Sequence, residues 1–196
     1  MHLGNLLKST SKNYRKIPVK GISFDSRKIK RKDIFFAIRG NKTSGTNFIN
    51  DAISRGASAI VSSKKIKYKN RQIPLLLVKD VRKSLSEACS KFYRKKSPNI
   101  IAVTGTNGKS SVADFFYQIL NFNRISVASI GTLGIFSKNY CKKTNLTSMD
   151  PLSLHKSLEI LAKNKVNHVI LEASSHGLKQ KRLDNLNIKT GIFTNL

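Results

Sequence analysis

The run Gly105-Thr106-Asn107-Gly108-Lys109-Ser110-Ser111 sets two glycines, a lysine and two hydroxyls in the order that a phosphate-binding loop requires. Glycines let consecutive backbone N–H groups turn inward on phosphate oxygens. A helix N-terminus behind them adds free donors and the positive end of its dipole. Lys109 is expected to bring a point charge to the β- and γ-phosphates of a nucleotide, and Ser110 to place its hydroxyl on Mg2+. The longer Walker loop needs a glycine five positions before Gly108, where Val103 stands, so the pattern here is the shorter G-x-x-G-K-S. Taken as coincidence, the same residues make a glycine-rich turn followed by an exposed lysine. The setting argues against coincidence: an apolar strand over residues 99–103 runs into the loop, and a helical pattern follows it.

Glu172 is the second chemical group. It ends the apolar run His168-Val169-Ile170-Leu171, where a fold of this kind keeps its metal-binding acid, on a strand expected beside that of the loop. An acid at a strand end is otherwise a solvated turn residue. Ser174-Ser175-His176-Gly177 come next, at the C-terminal edge of the sheet where ligands bind in such folds. For His176 a ligand role and a hydrogen-bonded structural role both stand. His2, His155 and His168 are read as non-functional.

The elements that must carry these groups follow from the hydrophobic pattern. In the first half, residues 21–27 read as a strand entering a loop, 33–38 as a buried strand, and 40–45 as a polar loop. Phe48, Ile49, Ala52 and Ile53 mark a helix face that stops near Gly56. Strands are expected at 57–62 and 74–78. Ser84 and Glu87 have the spacing of a capping box, and Leu85, Ala88, Cys89 and Phe92 recur at helical intervals behind it. Cys89 therefore belongs to the core. Lys95-Lys96-Ser97-Pro98 marks a boundary. Beyond the loop, Val112, Phe115, Phe116, Ile119 and Leu120 give the expected buried face of a helix, and 124–130 a strand. Asp150-Pro151 opens another helix with Asp as N-cap and Pro at N1, Leu154, Leu158 and Leu161 continue it, and 189–196 begin a last strand. Strands alternating with helices indicate an α/β fold with a parallel sheet covered on both faces.

Composition narrows the class. The chain has 196 residues, 39% of them apolar, enough for one large or two small cores. No apolar stretch is long enough to cross a bilayer, and the N-terminus has no sustained apolar run, so neither a membrane span nor a signal peptide is expected. Cys89 and Cys141 alone make neither a disulfide framework nor a zinc site, and a reducing, cytoplasmic location is expected. Thirty-seven Lys and Arg against ten Asp and Glu leave a net charge of +27, which favours polyanionic partners. The basic run at 64–71 has the makings of a phosphate track with a stacking tyrosine. Lysine is spread along the whole chain, however, and nucleic acid is not expected as the main partner.

These segments resemble a known family. Gly105-Thr106-Asn107-Gly108-Lys109-Ser110 is similar to the phosphate loop of the Mur ligases, ATP-dependent ligases that build the peptidoglycan stem peptide. Asp25-Ser26-Arg27, Asp33-Ile34-Phe35-Phe36-Ala37 and Gly40-Asn41-Lys42 resemble their N-terminal UDP-sugar-binding domain. Leu146-Thr147-Ser148 before Asp150-Pro151, then Glu172-Ala173-Ser174-Ser175-His176-Gly177-Leu178 with Gln180 and Arg182, resemble the tripeptide-synthetase branch. Phe193-Thr194-Asn195-Leu196 resembles the family's central strand.

The resemblance implies two domains, residues 1–96 for the UDP-sugar and 97–196 as the first part of a parallel-sheet P-loop ATPase domain. It implies that Phe24 and Ser26 contact uridine, that Asn41, Lys42 and Thr43 lie on the diphosphate side, and that Gly105 to Ser111 hold ATP. Thr147, Ser148, Ser174, Gln180 and Arg182 would hold the muramoyl-dipeptide, and Glu172 with Ser110 would hold Mg2+. The implied reaction adds meso-diaminopimelate or L-lysine to UDP-MurNAc-L-Ala-D-Glu through an acyl phosphate, with Lys109 and Glu172 as its catalytic groups. The alternative is a non-catalytic remnant that binds the UDP-sugar or nucleotide. Ser110 stands where the family usually has threonine, Met149 where many members have proline, and Phe24 where an aliphatic residue is commoner. Members of the family continue past the Thr-Asn-Leu strand, so an exposed sheet edge and a complementing C-terminal fragment are expected as well.

Overall fold

The computed structural model describes every residue except Ser9, Asn41, Lys42, Lys69, Arg71, Asn145 and Leu196. The chain divides into two compact units, Met1–Phe92 and Tyr93–Leu196. The charged stretch at 95–98 falls at the start of the second.

In the first unit, strands β1 (Gly21–Ser23), β2 (Asp33–Phe36), β3 (Ala59–Ser62) and β4 (Leu75–Leu77) pair side by side in chain order, all parallel. β2 and β3 are buried at every residue, as their apolar runs at 34–36 and 59–61 require, with Asp33 and Ser62 buried at their ends. Helices α1 (Leu3–Leu6), α2 (Ile49–Ser54) and α3 (Val81–Phe92) complete the unit. Ile49 and Ala52 of α2 pack with Phe35 and Ile60 in one cluster. Two local expectations are corrected here. Phe48 precedes α2 and is 43% exposed, so the buried face starts one residue later, at Ile49. Helix α3 starts at Val81, before the expected Ser84 cap. Asp80 supplies the stronger cap, its Oδ1 accepting the N–H groups of Arg82 (2.9 Å) and Lys83 (3.0 Å). Glu87 instead pairs with Lys91 one turn on, at 2.7 Å. Cys89 is fully buried on the inner face of α3.

In the second unit, β5 (Asn99–Thr104), β6 (Val127–Gly131), β7 (Gly134–Ser137), β8 (His168–Glu172) and β9 (Ile188–Phe193) form one sheet in the order β7-β6-β8-β5-β9. All pairings are parallel except β6–β7, a hairpin that the sequence pattern did not anticipate. Helix α5 (Pro151–Lys163) begins as expected, with the Asp150 carboxylate accepting from Ser153 N–H at 2.9 Å and proline in the first turn. Its Leu154, Leu158 and Leu161 pack on Ile130, Val169 and Leu171. Helix α4 (Lys109–Phe122) covers the opposite face, where Val112, Ala113 and Phe116 lie over Ile101, Val103 and Ile170. The alternation of Val169, Ile170 and Leu171 between the two clusters is the pleat of β8. The expected buried face of α4 is corrected in part: Phe115 and Ile119 are about three-fifths exposed, and Phe122 more so. Its apolar residues reach further round the helix than one stripe, and β9, near that side, is itself exposed along much of its length. Short helix α6 (Ser175–Lys179) follows β8. Among the described residues no helix is long and apolar enough to cross a membrane.

Candidate active site

Strand β5 delivers the chain to the loop. Val103, buried beneath α4, anchors its end, and Gly105 (φ 137°) and Gly108 (φ 81°) then take backbone conformations that side chains disfavour. Gly108 is the N-cap of α4 and has no side chain to occupy the first-turn donors, which suits an anion. Lys109 folds back over its own loop, its Nζ donating to the carbonyls of Gly105 (2.6 Å) and Thr106 (2.9 Å).

The loop is clamped from the end of β9. Asn195 Oδ1 accepts the N–H groups of Thr106 (3.1 Å) and Asn107 (3.0 Å). The Thr194 hydroxyl donates to Asn107 O at 2.6 Å, and its N–H to Thr104 O at 2.9 Å. A Cβ on Gly105 would run into Thr194 Oγ1, a second reason for glycine there. Thr194 and Asn195 read in the sequence only as part of a strand motif. Their contact with the loop spans 87–89 residues, so no local signal reveals it.

Glu172 lies opposite Val103 in the parallel register, on the strand next to that of the loop. It is 3% exposed, which removes the solvated-turn reading. Thr132, in the β6–β7 turn, grips both of its oxygens: the N–H donates to Oε1 at 3.0 Å and the hydroxyl to Oε2 at 2.9 Å. A Cβ on Gly131 would overlap Oε1. A carboxylate offers about four lone-pair sites, so these two bonds leave it able to take a cation. Among the described residues no three His, Cys, Asp or Glu side chains cluster as metal ligands. One carboxylate and a hydroxyl nonetheless fit Mg2+, which keeps waters and takes substrate phosphate oxygens as its other ligands. Ser110, half-buried in the first turn of α4, is the hydroxyl in question.

Behind Glu172 the expected dipeptide residues form a polar ridge. Ser148 is buried, donating to Glu172 O (3.0 Å) and accepting from Ser174 N–H (2.9 Å). The Ser174 hydroxyl caps α6, accepting from Gly177 N–H at 3.1 Å, and a Cβ on Gly177 would come within 2.6 Å of Ser148 Cβ. Arg182 donates to Gln180 Oε1 through Nε (3.1 Å) and Nη2 (2.8 Å), and through Nη1 to Ser148 O. His176 is exposed, and its Nε2 lies 2.7 Å from Gln180 Nε2. Thr147 Oγ1 lies 3.0 Å from the Thr132 hydroxyl. A cavity of about 400 Å3 joins loop and ridge, lined by Gly105, Thr106, Lys109, Ser174, Ser175 and Asn195 among others. A larger one, about 660 Å3, lies at the other end of the strands near Arg124 and Lys138 and shares no residue with the loop.

Other expected residues are not among those lining this cavity. In the first unit Phe24 is exposed and Ser26 buried. The Ser26 hydroxyl, with Arg55, holds the Asp51 carboxyl below its ordinary range. The neighbouring Asp25 is held low by its hydrogen bonds to Arg27. Thr43 is exposed, its carbonyl accepting from Gly40 N–H at 2.9 Å, while Asn41 and Lys42 lie outside the described residues. In the second unit His155 is fully buried, and neither ring nitrogen has a hydrogen-bond partner among the described residues. Burial, with the charge of Lys96, pushes its pKa down to about 3.

Comparison with known proteins accounts for both units. A family model of the Mur ligase middle domain matches residues 103–196, and one described as the Mur ligase family, catalytic domain, matches residues 18–93. A UDP-N-acetylmuramoyl-L-alanyl-D-glutamate–2,6-diaminopimelate ligase of Rhizobium meliloti is 43% identical over 180 residues, covering 92% of this chain and 37% of that protein. A ligase of the same name from Rickettsia conorii is 44% identical over 181 residues, covering 90% and 37%. A solved structure of a ligase with this name superposes with a TM-score of 0.83 at 29% identity, over 100% of this chain and 40% of the other. The MurF ligase of Thermotoga maritima in complex with ADP gives 0.52 at 25% identity, over 80% of this chain and 32% of the other. The chain thus spans under two-fifths of the length of the curated relatives it matches. With one family model on each unit and nine-tenths of its residues aligned to these ligases, the chain belongs to the Mur ligase family.

Proposed function

We propose that this chain is the UDP-sugar- and ATP-binding part of a ligase that adds a diamino acid to UDP-MurNAc-L-Ala-D-Glu. The observation that carries the reading is a clamped phosphate loop beside a buried glutamate, in a chain 43% identical to a diaminopimelate ligase. The names of the relatives favour meso-diaminopimelate over L-lysine. In this reading residues 1–96 take the UDP-sugar, with Phe24 and Ser26 toward the uridine and Asn41, Lys42 and Thr43 toward the diphosphate. Residues 97–196 take ATP, and the location is cytoplasmic.

The reaction joins a carboxylate to an amine. The γ-phosphoryl group of ATP passes to the D-Glu carboxylate, giving an acyl phosphate and ADP. The diamino acid's amine attacks that carbonyl, and the tetrahedral intermediate collapses to the amide and phosphate. Backbone N–H groups of residues 108–111 hold the nucleotide phosphates while Asn195 braces those of Thr106 and Asn107, and Lys109 swings from its loop carbonyls to their charge. Thr147, Ser148, Ser174, Gln180 and Arg182 make the ridge that orients the D-Glu carboxylate. Mg2+ held by Glu172 and Ser110 would neutralise charge on the phosphates. A further stretch of ligase, in this or a second polypeptide, packs on the outer edge of β9 and the exposed side of α4. The exposure of Phe115, Ile119, Phe122 and Phe193 supports that surface.

The test is phosphate release by the 196-residue chain with Mg-ATP, UDP-MurNAc-L-Ala-D-Glu and diaminopimelate, alone and mixed with a polypeptide covering the rest of a relative's length. Amine-dependent release in either mixture supports the ligase. Failure in both, with a whole relative active and the UDP-sugar still bound, assigns the chain to the non-catalytic alternative.

A further inference from the structure

We infer that Thr132 is the positioning residue for Glu172, fixing its carboxylate for a divalent cation and tying it to the ridge that the acceptor would use. The inference rests on the reading of Glu172 as a metal-binding acid. The last torsion of a glutamate is broad and has no strong staggered preference, so an unheld carboxylate turns. Here one residue holds both oxygens, Oε1 by its N–H at 3.0 Å and Oε2 by its hydroxyl at 2.9 Å. Gly131 closes the space beside Oε1, since a Cβ there would overlap it. The plane of the carboxylate is thereby set, and its remaining lone pairs are left for a ligand.

The same turn is tied to the segment before α5 at two points. Thr144 Oγ1 donates to Gly131 O at 2.7 Å, and Thr147 Oγ1 lies 3.0 Å from Thr132 Oγ1. A hydroxyl has one hydrogen, and that of Thr132 goes to the carboxylate, the stronger acceptor. Thr147 Oγ1 lies within reach of that same hydrogen and competes for it. A shift of the ridge is therefore felt at the cation site through a single hydroxyl. Thr132 itself is exposed in a turn, so removing the hydroxyl opens no hole in the core.

The experiment measures Mn2+ affinity of the whole 196-residue chain by electron paramagnetic resonance in the presence of inorganic tripolyphosphate. Wild type, T132V, T132S and K109A are compared, with thermal melts to verify folding. Groups that orient a metal ligand typically contribute 10- to 100-fold in affinity. T132V is expected to weaken Mn2+ by about tenfold or more, leave tripolyphosphate binding without metal unchanged, and be rescued by T132S. Wild-type Mn2+ affinity in T132V, or a T132S as weak as T132V, overturns the positioning role. Wild-type protein that takes up no Mn2+, or a K109A that matches it, overturns the nucleotide-site reading, and the positioning role falls with it.

Discussion

The two faces of the second unit's sheet are built to different standards. On the α5 face, Leu154, Leu158 and Leu161 are nearly or wholly buried against Ile130, Val169 and Leu171, in a cluster that extends to Met149 and Leu183. On the α4 face the buried cluster is small, Ile101, Val103, Ala113 and Ile170, and apolar side chains of α4 and β9 stand outside it. The phosphate loop lies on the thin side, at the start of α4. The buried carboxylate is held by the β6–β7 turn, and the ridge by the loops around α5. The α5 side is closed within this chain, and the α4 side keeps apolar surface exposed.

The largest expected effect tests the thick face. Leu158→Ala should lower the stability of the second unit by about 3 kcal/mol through lost burial and a cavity, read as a shift in its urea midpoint. A cost below about 1 kcal/mol would erase the distinction between the faces.

A second test uses the buried imidazole on α5. His155 has an ordinary pKa of 6.5 and a folded value of about 3. Above pH 6.5 it is neutral in both states. Below that, the unfolded chain takes the proton first, so its contribution to stability is lost as pH falls toward 3. At pH 5 the loss is about 2 kcal/mol relative to pH 7. His155→Leu should remove that part of the slope. An unchanged slope in urea titrations at both pH values would show that acid enters elsewhere.

On the thin face the effects shrink. Asn195→Ala deletes the acceptor of two loop N–H groups at an exposed site. It should cost about 1 kcal/mol or less and loosen tripolyphosphate binding by a few fold, measured calorimetrically. Ile119→Ala should be the mildest, within about 0.5 kcal/mol of wild type in urea unfolding. A cost like that of Leu158→Ala would mean the outer side of α4 is covered within this chain.

The sequence made some of this legible. The strand–loop–helix order around Gly105 to Ser111 and the acid at the end of β8 show themselves because each lies in one contiguous run. The Asp150-Pro151 start of α5 was readable for the same reason. The partners of those groups were not. Thr132 sits 40 residues from Glu172, and Asn195 lies 88 or 89 from the loop amides, pairings that only the sheet order β6-β8-β5-β9 creates. The burial of α4 was misjudged at Phe115 and Ile119 because periodicity marks a face only when the rest of the helix is polar. The cap of α3 falls at Asp80, four residues before the Ser84 that the capping-box spacing marks.

The clamp on the loop also sets an order of events during synthesis. At about 5–20 residues per second, Asn195 leaves the ribosome on the order of 4–18 s after Asn107, the residue whose amide it holds, 88 positions earlier. During that interval β5 has no β9 beside it, and the loop lacks the amide and hydroxyl that brace it. The braced loop thus forms only after residue 195 has emerged, and a nascent chain halted before residue 194 should carry the whole G-x-x-G-K-S motif yet grip polyphosphate poorly.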